Sequence, residues 1–197
     1  MSEKYKIANP NGMYFFTMTV VDWVPACADR DVFTRKIYSD TMLDSIRFCQ
    51  KDKGLIVHAY VIMPSHVHMI ASAQNGYDLS ATIRDMKKFT SQTIVKQIQN
   101  ENESRKEWML YRFEYAGKFL NRIKNYKFWQ DGNQPKECFS MEFLKQKVEY
   151  IHFNPCLTDR QAVEAGIVYE PWQYVYSSAG DYAGIKGLID LVMIDFY

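Results

Sequence analysis

Two histidines, His66 and His68, stand two residues apart within Ala59-Tyr-Val-Ile-Met-Pro-Ser-His-Val-His-Met-Ile-Ala-Ser-Ala73. The side-chain period of an extended strand is two. Both imidazoles therefore leave one face of a sheet, while Val67, Met69 and Ala71 leave the other. Neighbouring imidazoles on one face form a bidentate claw for a metal ion. Pro64 and Ser65 read as a turn, and the apolar runs Leu55 to Met63 and Val67 to Ala73 read as the two arms of a hairpin. The claw then sits at the start of a strand, near the hairpin end. The same spacing also serves a half-exposed polar strand face, and strand His-x-His pairs occur in unrelated metal proteins. A function needs a third ligand.

One candidate lies far downstream. Ser140 is a suitable N-cap, with Glu142 in the first turn where a carboxylate suits the helix dipole. The helix it opens runs through Phe143-Leu-Lys-Gln-Lys-Val-Glu-Tyr-Ile-His-Phe-Asn154 and must end at Pro155. Leu144, Val148 and Ile151 form its inward stripe. Tyr150 and Asn154 are four apart, so they lie on a shared face with roughly one turn, a pitch of about 5.4 Å, between them. A carboxamide oxygen with two imidazoles gives a three-point site with open positions, suited to a divalent ion that must also hold a substrate oxygen. Tyr150 would stand beside it as a candidate nucleophile, although a helical tyrosine taken alone is usually packing.

The chain that must position these groups has 197 residues, 47% of them hydrophobic, enough for one core and one domain over 1–197. Its 24 basic and 23 acidic residues nearly cancel, so a nucleic-acid partner has to be argued from local clustering. Cys27, Cys49, Cys138 and Cys156 form no Cys-x-x-Cys pair, which argues against a zinc knuckle or disulfide scaffold and for thiols in a reducing compartment. The N-terminus carries no signal-peptide core, and no run approaches the roughly 18 apolar residues of a membrane span. These features point to a soluble cytoplasmic protein without a membrane partner.

In chain order, Met13 to Val21 reads as a first strand, and Asp22 to Phe33 as a loop. Asp40 reads as the cap of a helix in which Met42, Leu43, Ile46 and Phe48 to Cys49 recur at helical spacing and which Gly54 ends. After the hairpin, Leu79 to Gln99 reads as a long amphipathic helix. Leu79, Ile83, Met86, Phe89, Thr93, Ile94 and Ile98 line one side of it, and Arg84, Lys87, Lys88 and Lys96 the other. The segment 104–127 then departs from the balanced charge of the chain, with seven basic residues (Arg105, Lys106, Arg112, Lys118, Arg122, Lys124, Lys127) against two acidic ones. Trp108, Tyr111, Phe113, Tyr115, Phe119 and Tyr126 are interleaved among them. That pattern suits a DNA-contacting surface, with cations for phosphates and rings for unstacked bases; it also suits a solvated amphipathic helix whose rings are core.

Val-Ile-Met-Pro-Ser-His-Val-His-Met-Ile resembles the His-hydrophobic-His motif of the HUH single-tyrosine (IS200-like) transposases. Val148-Glu-Tyr-Ile-His-Phe-Asn-Pro155 resembles their catalytic-helix motif, Tyr-Ile-x-x-Asn-Pro. Ala165-Gly-Ile-Val and Trp172-x-Tyr-x-Tyr-Ser-Ser178 look like the REP-associated tyrosine transposase branch, and the likeness runs from about Met13 to Gly187. The resemblance implies an α+β fold: an antiparallel sheet flanked by helices, a ferredoxin-like palm. It implies His66, His68 and Asn154 as ligands of Mg²⁺ or Mn²⁺, and Tyr150 as a nucleophile that forms a 5′-phosphotyrosine with single-stranded or hairpin DNA before strands are rejoined. Lys147, three residues before Tyr150, could assist, and Lys87, Lys88, Arg105, Lys106, Arg112, Lys118, Arg122 and Lys124 would contact the DNA. Proteins of this kind act as monomers or homodimers.

Two departures stand out: a longer stretch between Pro155 and Gly166, and Ser65 where relatives often carry a larger polar residue. His152 and His58 read as structural. Two other functions stay open at this point: a DNA binder of the same fold that no longer cuts, and an unrelated hydrolase that uses water bound to a His66/His68 metal.

Overall fold

The computed structural model describes residues 7–21, 31–118, 120, 123, 125–156 and 167–196. Arg122, Lys124 and Phe119, most of the loop expected over 22–33, and nearly all of the long stretch after Pro155, with Ala165 and Gly166, lie outside the described residues.

The elements in chain order are β1 (Tyr14–Thr19), α1 (Lys36–Asp52), β2 (Leu55–Ile62), β3 (His66–Ala73), α2 (Leu79–Asn100), α3 (Lys106–Gly117), β4 (Lys136–Glu137), α4 (Met141–Phe153) and the short α5 (Ala179–Tyr182). The strands form one antiparallel sheet in the order β2-β3-β1-β4. This is the α+β arrangement expected. The β2-β3 hairpin forms because two β-branched, apolar runs flank Pro64-Ser65, and both arms are buried on both faces.

Strand alternation divides the core in two. Tyr14, Phe16, Met18, Tyr60, Ile62, Val67, Met69 and Ala71 pack against α1 and α2. Phe15, Ala59, Val61 and Ile70 pack against Leu144, Val148 and Ile151 of α4. His66 and His68 have the parity of Ile70, so they leave the sheet on the α4 side. The free edge of β2 is covered by the end of the chain: Ser178 N donates to Tyr60 O (2.9 Å), Ile62 N to Tyr176 O (2.9 Å), and Val192 N to Val57 O (3.0 Å). Covering the edge satisfies its backbone groups and blocks further strand pairing.

Three expectations are corrected. Asp40 does not cap α1. A 3-10 turn at Val32–Thr34 buries Val32 and Phe33 and feeds the helix directly, so α1 starts at Lys36, and Asp40 instead pairs with Lys36 one turn earlier. Phe48 and Phe89 do not face the core. They are 55% and 53% exposed, because Cys49 and Thr90, each one position on, take the inward direction. The helix boundary at Gly54 does hold: its φ of +61° lies in the left-handed region, which glycine enters without a Cβ penalty.

Candidate active site

The site is assembled from two elements far apart in sequence. β3 presents His66 and His68 with ring centroids 4.6 Å apart. α4, capped by Ser140 Oγ accepting from Phe143 N, seats its Leu144-Val148-Ile151 stripe on the sheet and thereby turns Tyr150 and Asn154 toward the histidines. Tyr150 Oη lies 3.4 Å from His68 Nε2, long for a hydrogen bond but in contact, with ring centroids 5.0 Å apart. The Asn154 side chain acts on the His66 ring, partly offsetting the effect of burial on its pKa, and its carboxamide oxygen Oδ1 is buried without a hydrogen bond from the described residues, as a position kept for a ligand would be. Asn154 is the C-cap, still helical at φ −55° and ψ −40°, which keeps it stacked one turn beyond Tyr150.

The rings are held from behind. Thr17 Oγ1 lies 2.8 Å from His68 Nδ1, and Ser65 Oγ lies 3.0 Å from His66 Nδ1. Each hydroxyl can accept from Nδ1–H, which selects the tautomer that leaves the Nε2 lone pair available. Phe15 stacks on His68 with centroids 5.6 Å apart and planes 23° apart. His66, His68 and Asn154 are 8%, 5% and 1% exposed. Burial pushes the His66 imidazolium down to about 4, and burial, reinforced by His66 and Lys147, pushes His68 well below its ordinary value. Both rings are therefore neutral at pH 7, as metal ligation requires.

Two neutral imidazoles and a carboxamide oxygen make a donor set that fits a divalent ion of intermediate softness. Among the described residues, no group of three His, Cys, Asp or Glu side chains that could hold a metal ion comes together. Lys147, on the same helix face, holds its Nζ 5.5 Å from the Tyr150 ring centroid. The structure thus brings together Tyr150, His66, His68, Asn154 and Lys147. The residues that sequence reasoning missed are Thr17 and Phe15. Their only signal was strand parity, since Thr17 pairs with His68 and Phe15 with Ile70 across β1 and β3.

The segment 104–127 is divided. Glu103, just before it, is buried between Arg35 (3.2 Å) and Arg105 (3.0 Å) and accepts from Tyr38 Oη (3.3 Å). Arg105 also donates to Asp31 O and Thr34 Oγ1, so its guanidinium holds the entrance to α1. Lys87 is likewise engaged: its Nζ donates to Gln130 O, Gly132 O and Asn133 Oδ1, and burial brings its pKa down to about 8. Both were expected on a DNA-contacting surface, and in the structure both fasten loops. Arg112 lies over the Trp108 ring, and Met109 and Phe113 are buried. Tyr111 and Tyr115 stack on each other in solvent, 6.3 Å apart. Lys88 and Lys118 are exposed, Lys106 partly so. A groove lined by Lys88, Lys96, Gln99, Asn125, Tyr126 and Lys127 runs beside α2 and meets a second one at Tyr111, Tyr115 and Lys118.

His152 and His58 are structural, as expected. His152 Nε2 is 2.9 Å from Ser178 Oγ, and His58 bridges Val192 O and Ser72 Oγ.

Residues 21–126 match the family described as Transposase IS200 like. The chain belongs to the IS200-like transposase family. The match spans β2 and β3 with His66 and His68, whereas Tyr150 and Asn154 of this transposase family member lie beyond it. The fold is similar to a solved structure of a REP-associated tyrosine transposase bound to a REP hairpin, with a TM-score of 0.62 and 20% identity over 100% of this chain and 95% of that one. No curated protein matches the chain. Among the described residues, no helix is long and apolar enough to cross a membrane.

Proposed function

We propose that this transposase family member nicks single-stranded DNA, presented as or beside a hairpin, with Tyr150 as nucleophile, and then rejoins strands. The observation that carries the reading is the approach of Tyr150 Oη to within 3.4 Å of His68 Nε2 across 82 residues of sequence, beside the His66–Asn154 contact. Burying two imidazoles and a carboxamide beside a half-buried phenol costs stability that a purely structural core would avoid, and such clusters gather at functional sites. A hairpin is the DNA held by the REP-associated relative of the same fold, which supports that substrate class here.

His66, His68 and Asn154 would hold the divalent ion, Mg²⁺ or Mn²⁺, with the imidazoles favouring the softer Mn²⁺. When bound, the ion supplies Lewis-acid polarisation of a phosphate oxygen. Thr17 and Ser65 fix the ring tautomers, and Phe15 fixes the His68 plane. Tyr150 Oη attacks phosphorus, the bond from phosphorus to the 3′ oxygen breaks, the phenol proton leaves to solvent and the 3′ oxygen takes one up. The products are a 5′-phosphotyrosine on Tyr150 and a DNA 3′-hydroxyl. Attack by a 3′-hydroxyl on that linkage reverses the step and rejoins strands without ATP, because the phosphodiester energy is retained. A free phenol ionises only near about pH 10, and the Lys147 ammonium favours the phenolate electrostatically.

The test incubates protein with Mn²⁺ and labelled single-stranded hairpin oligonucleotides copied from the flanks of its gene, comparing wild type with Tyr150→Phe on a denaturing gel. A metal-dependent covalent adduct lost in the variant is expected. Cleavage that persists without Tyr150 would shift the chemistry to metal-bound water. Binding by both proteins with cleavage by neither would make this a DNA binder that no longer cuts.

A further inference from the structure

Beyond the nucleophile, the same face of α4 continues as a row of rings and cations. Phe143, Lys147 and Tyr150 recur four and then three residues apart, so they lie along one face. Lys147 Nζ is 5.1 Å from the Phe15 ring centroid, 5.2 Å from that of Phe143 and 5.5 Å from that of Tyr150, so a single ammonium joins the catalytic ring to the aromatic row. Phe139, immediately before the Ser140 cap, lies parallel to Phe143 with centroids 5.9 Å apart and planes 8° apart. It is 84% exposed, so the apolar ring is left in water rather than buried. Lys136, exposed on β4, is the cross-strand partner of Phe15 and so shares its face of the sheet, which sets a second cation at this rim.

We propose that Phe139, backed by Phe143 and on the same rim as Lys136 and Lys147, is a stacking platform for an unpaired DNA base a few nucleotides from the phosphate that Tyr150 attacks. This inference rests on the reading of Tyr150 as the group that meets a single strand. An occupant that is both aromatic and anionic satisfies the rings and the cations together. An apolar peptide would leave the two ammonium groups without a counterion, and a paired duplex has no base face to offer. Continuity with the site bounds the register: the seven residues from Phe143 to Tyr150 span about 10 Å of helix, and the Phe139 ring stands 5.9 Å from that of Phe143, so the base it stacks lies a few nucleotides along the strand from the scissile phosphate. Phe139 is a positioning residue in this scheme, since it touches the substrate strand but not the reacting atoms.

The experiment measures binding of fluorescein-labelled oligo-dT by anisotropy with Mn²⁺ present, for wild type, Phe139→Ala and Phe139→Trp, and scores adduct formation on the hairpin oligonucleotides in parallel. Stacking tolerates any base, so oligo-dT is a fair probe. Phe139→Ala should weaken binding about tenfold and Phe139→Trp should restore it, with melting temperatures unchanged in both. Equal binding by Phe139→Ala and wild type, while wild type forms the adduct, would overturn the platform and leave the tyrosine chemistry standing. A wild type that forms no adduct, with the Phe139→Ala loss still present, would do the reverse. Light scattering covers the remaining occupant: if Phe139→Ala turns a dimer into a monomer at unchanged DNA affinity, the face belongs to a second copy of the chain and the platform is wrong.

Discussion

On the α4 side of the sheet, neutral polar groups are buried in contact with one another; around α3 and its neighbours, formal charges are paired off or exposed. The first arrangement brings the Tyr150 phenol to the His68 ring, with hydroxyls and a ring from β1 and the hairpin turn holding the histidines in place. The second uses charge to fasten loops, as at Glu103 with Arg35 and Arg105, and at Lys87 with the 130–133 loop. A charge that is paired is spent on the fold and has little left for a phosphate. Residue type therefore says less about which cations stay exposed than it does about which side chains share a strand face.

The sharpest break between the two regions comes from His68→Ala. It should abolish both the metal-dependent adduct and the rise in melting temperature on adding Mn²⁺, a rise that for an ion at 100 times its Kd corresponds to about 2.7 kcal/mol. Persistence of either after the substitution would detach His68 from the metal. Glu103→Ala, in the other region, should cost about 3 kcal/mol in urea unfolding, because it leaves two guanidinium groups facing a vacated buried carboxylate position. The adduct formed per folded molecule should stay unchanged. Thr17→Val tests whether the second layer of the site matters. Losing the hydroxyl at His68 Nδ1 should lower metal affinity about 10-fold to 100-fold, read by titrating Mn²⁺ against adduct yield.

Acid separates the regions again. His66 and His152 are held down to about 4 against 6.5, so the unfolded chain takes up protons first, and their contribution to stability, full above pH 6.5, is lost as pH falls from 6.5 to about 4. Hydrogen bonding to Arg105 holds Glu103 down to about 2 against 4.5, so its contribution is lost lower, between pH 4.5 and 2. Thermal melts across pH should show the two steps, with Glu103→Gln flattening only the lower one. The smallest expected effect is that of Tyr111→Ala on stability, within about 0.5 kcal/mol, since the ring is 63% exposed; a larger loss on thermal melting would mean that the Tyr111–Tyr115 stack is structural.

Periodicity carried much of the fold. The hairpin about Pro64-Ser65, the parity of His66 and His68, the Ser140 cap and the stop before Pro155 were all legible, because each depends on residues within one turn or one strand step. The inward stripe of α4 was legible for the same reason. Phe48 and Phe89 were misread because a stripe of about 100° leaves its flanking positions to be settled by what packs there. Asp40 was misread because a buried 3-10 turn overrode local capping preference.

What the sequence determined by itself is the set of reactive groups and their local phasing: two imidazoles on one strand face, a phenol and a carboxamide on one helix face. What the tertiary structure alone decided is that these faces meet, through apolar packing of α4 on β2 and β3, and that Thr17 and Phe15 stand behind His68. It also decided which cations are occupied. Nothing in the sequence sets Lys87 and Arg105 apart from the other cations; the acceptors that fasten them are brought by folding, since long-range contacts have no local pattern to read.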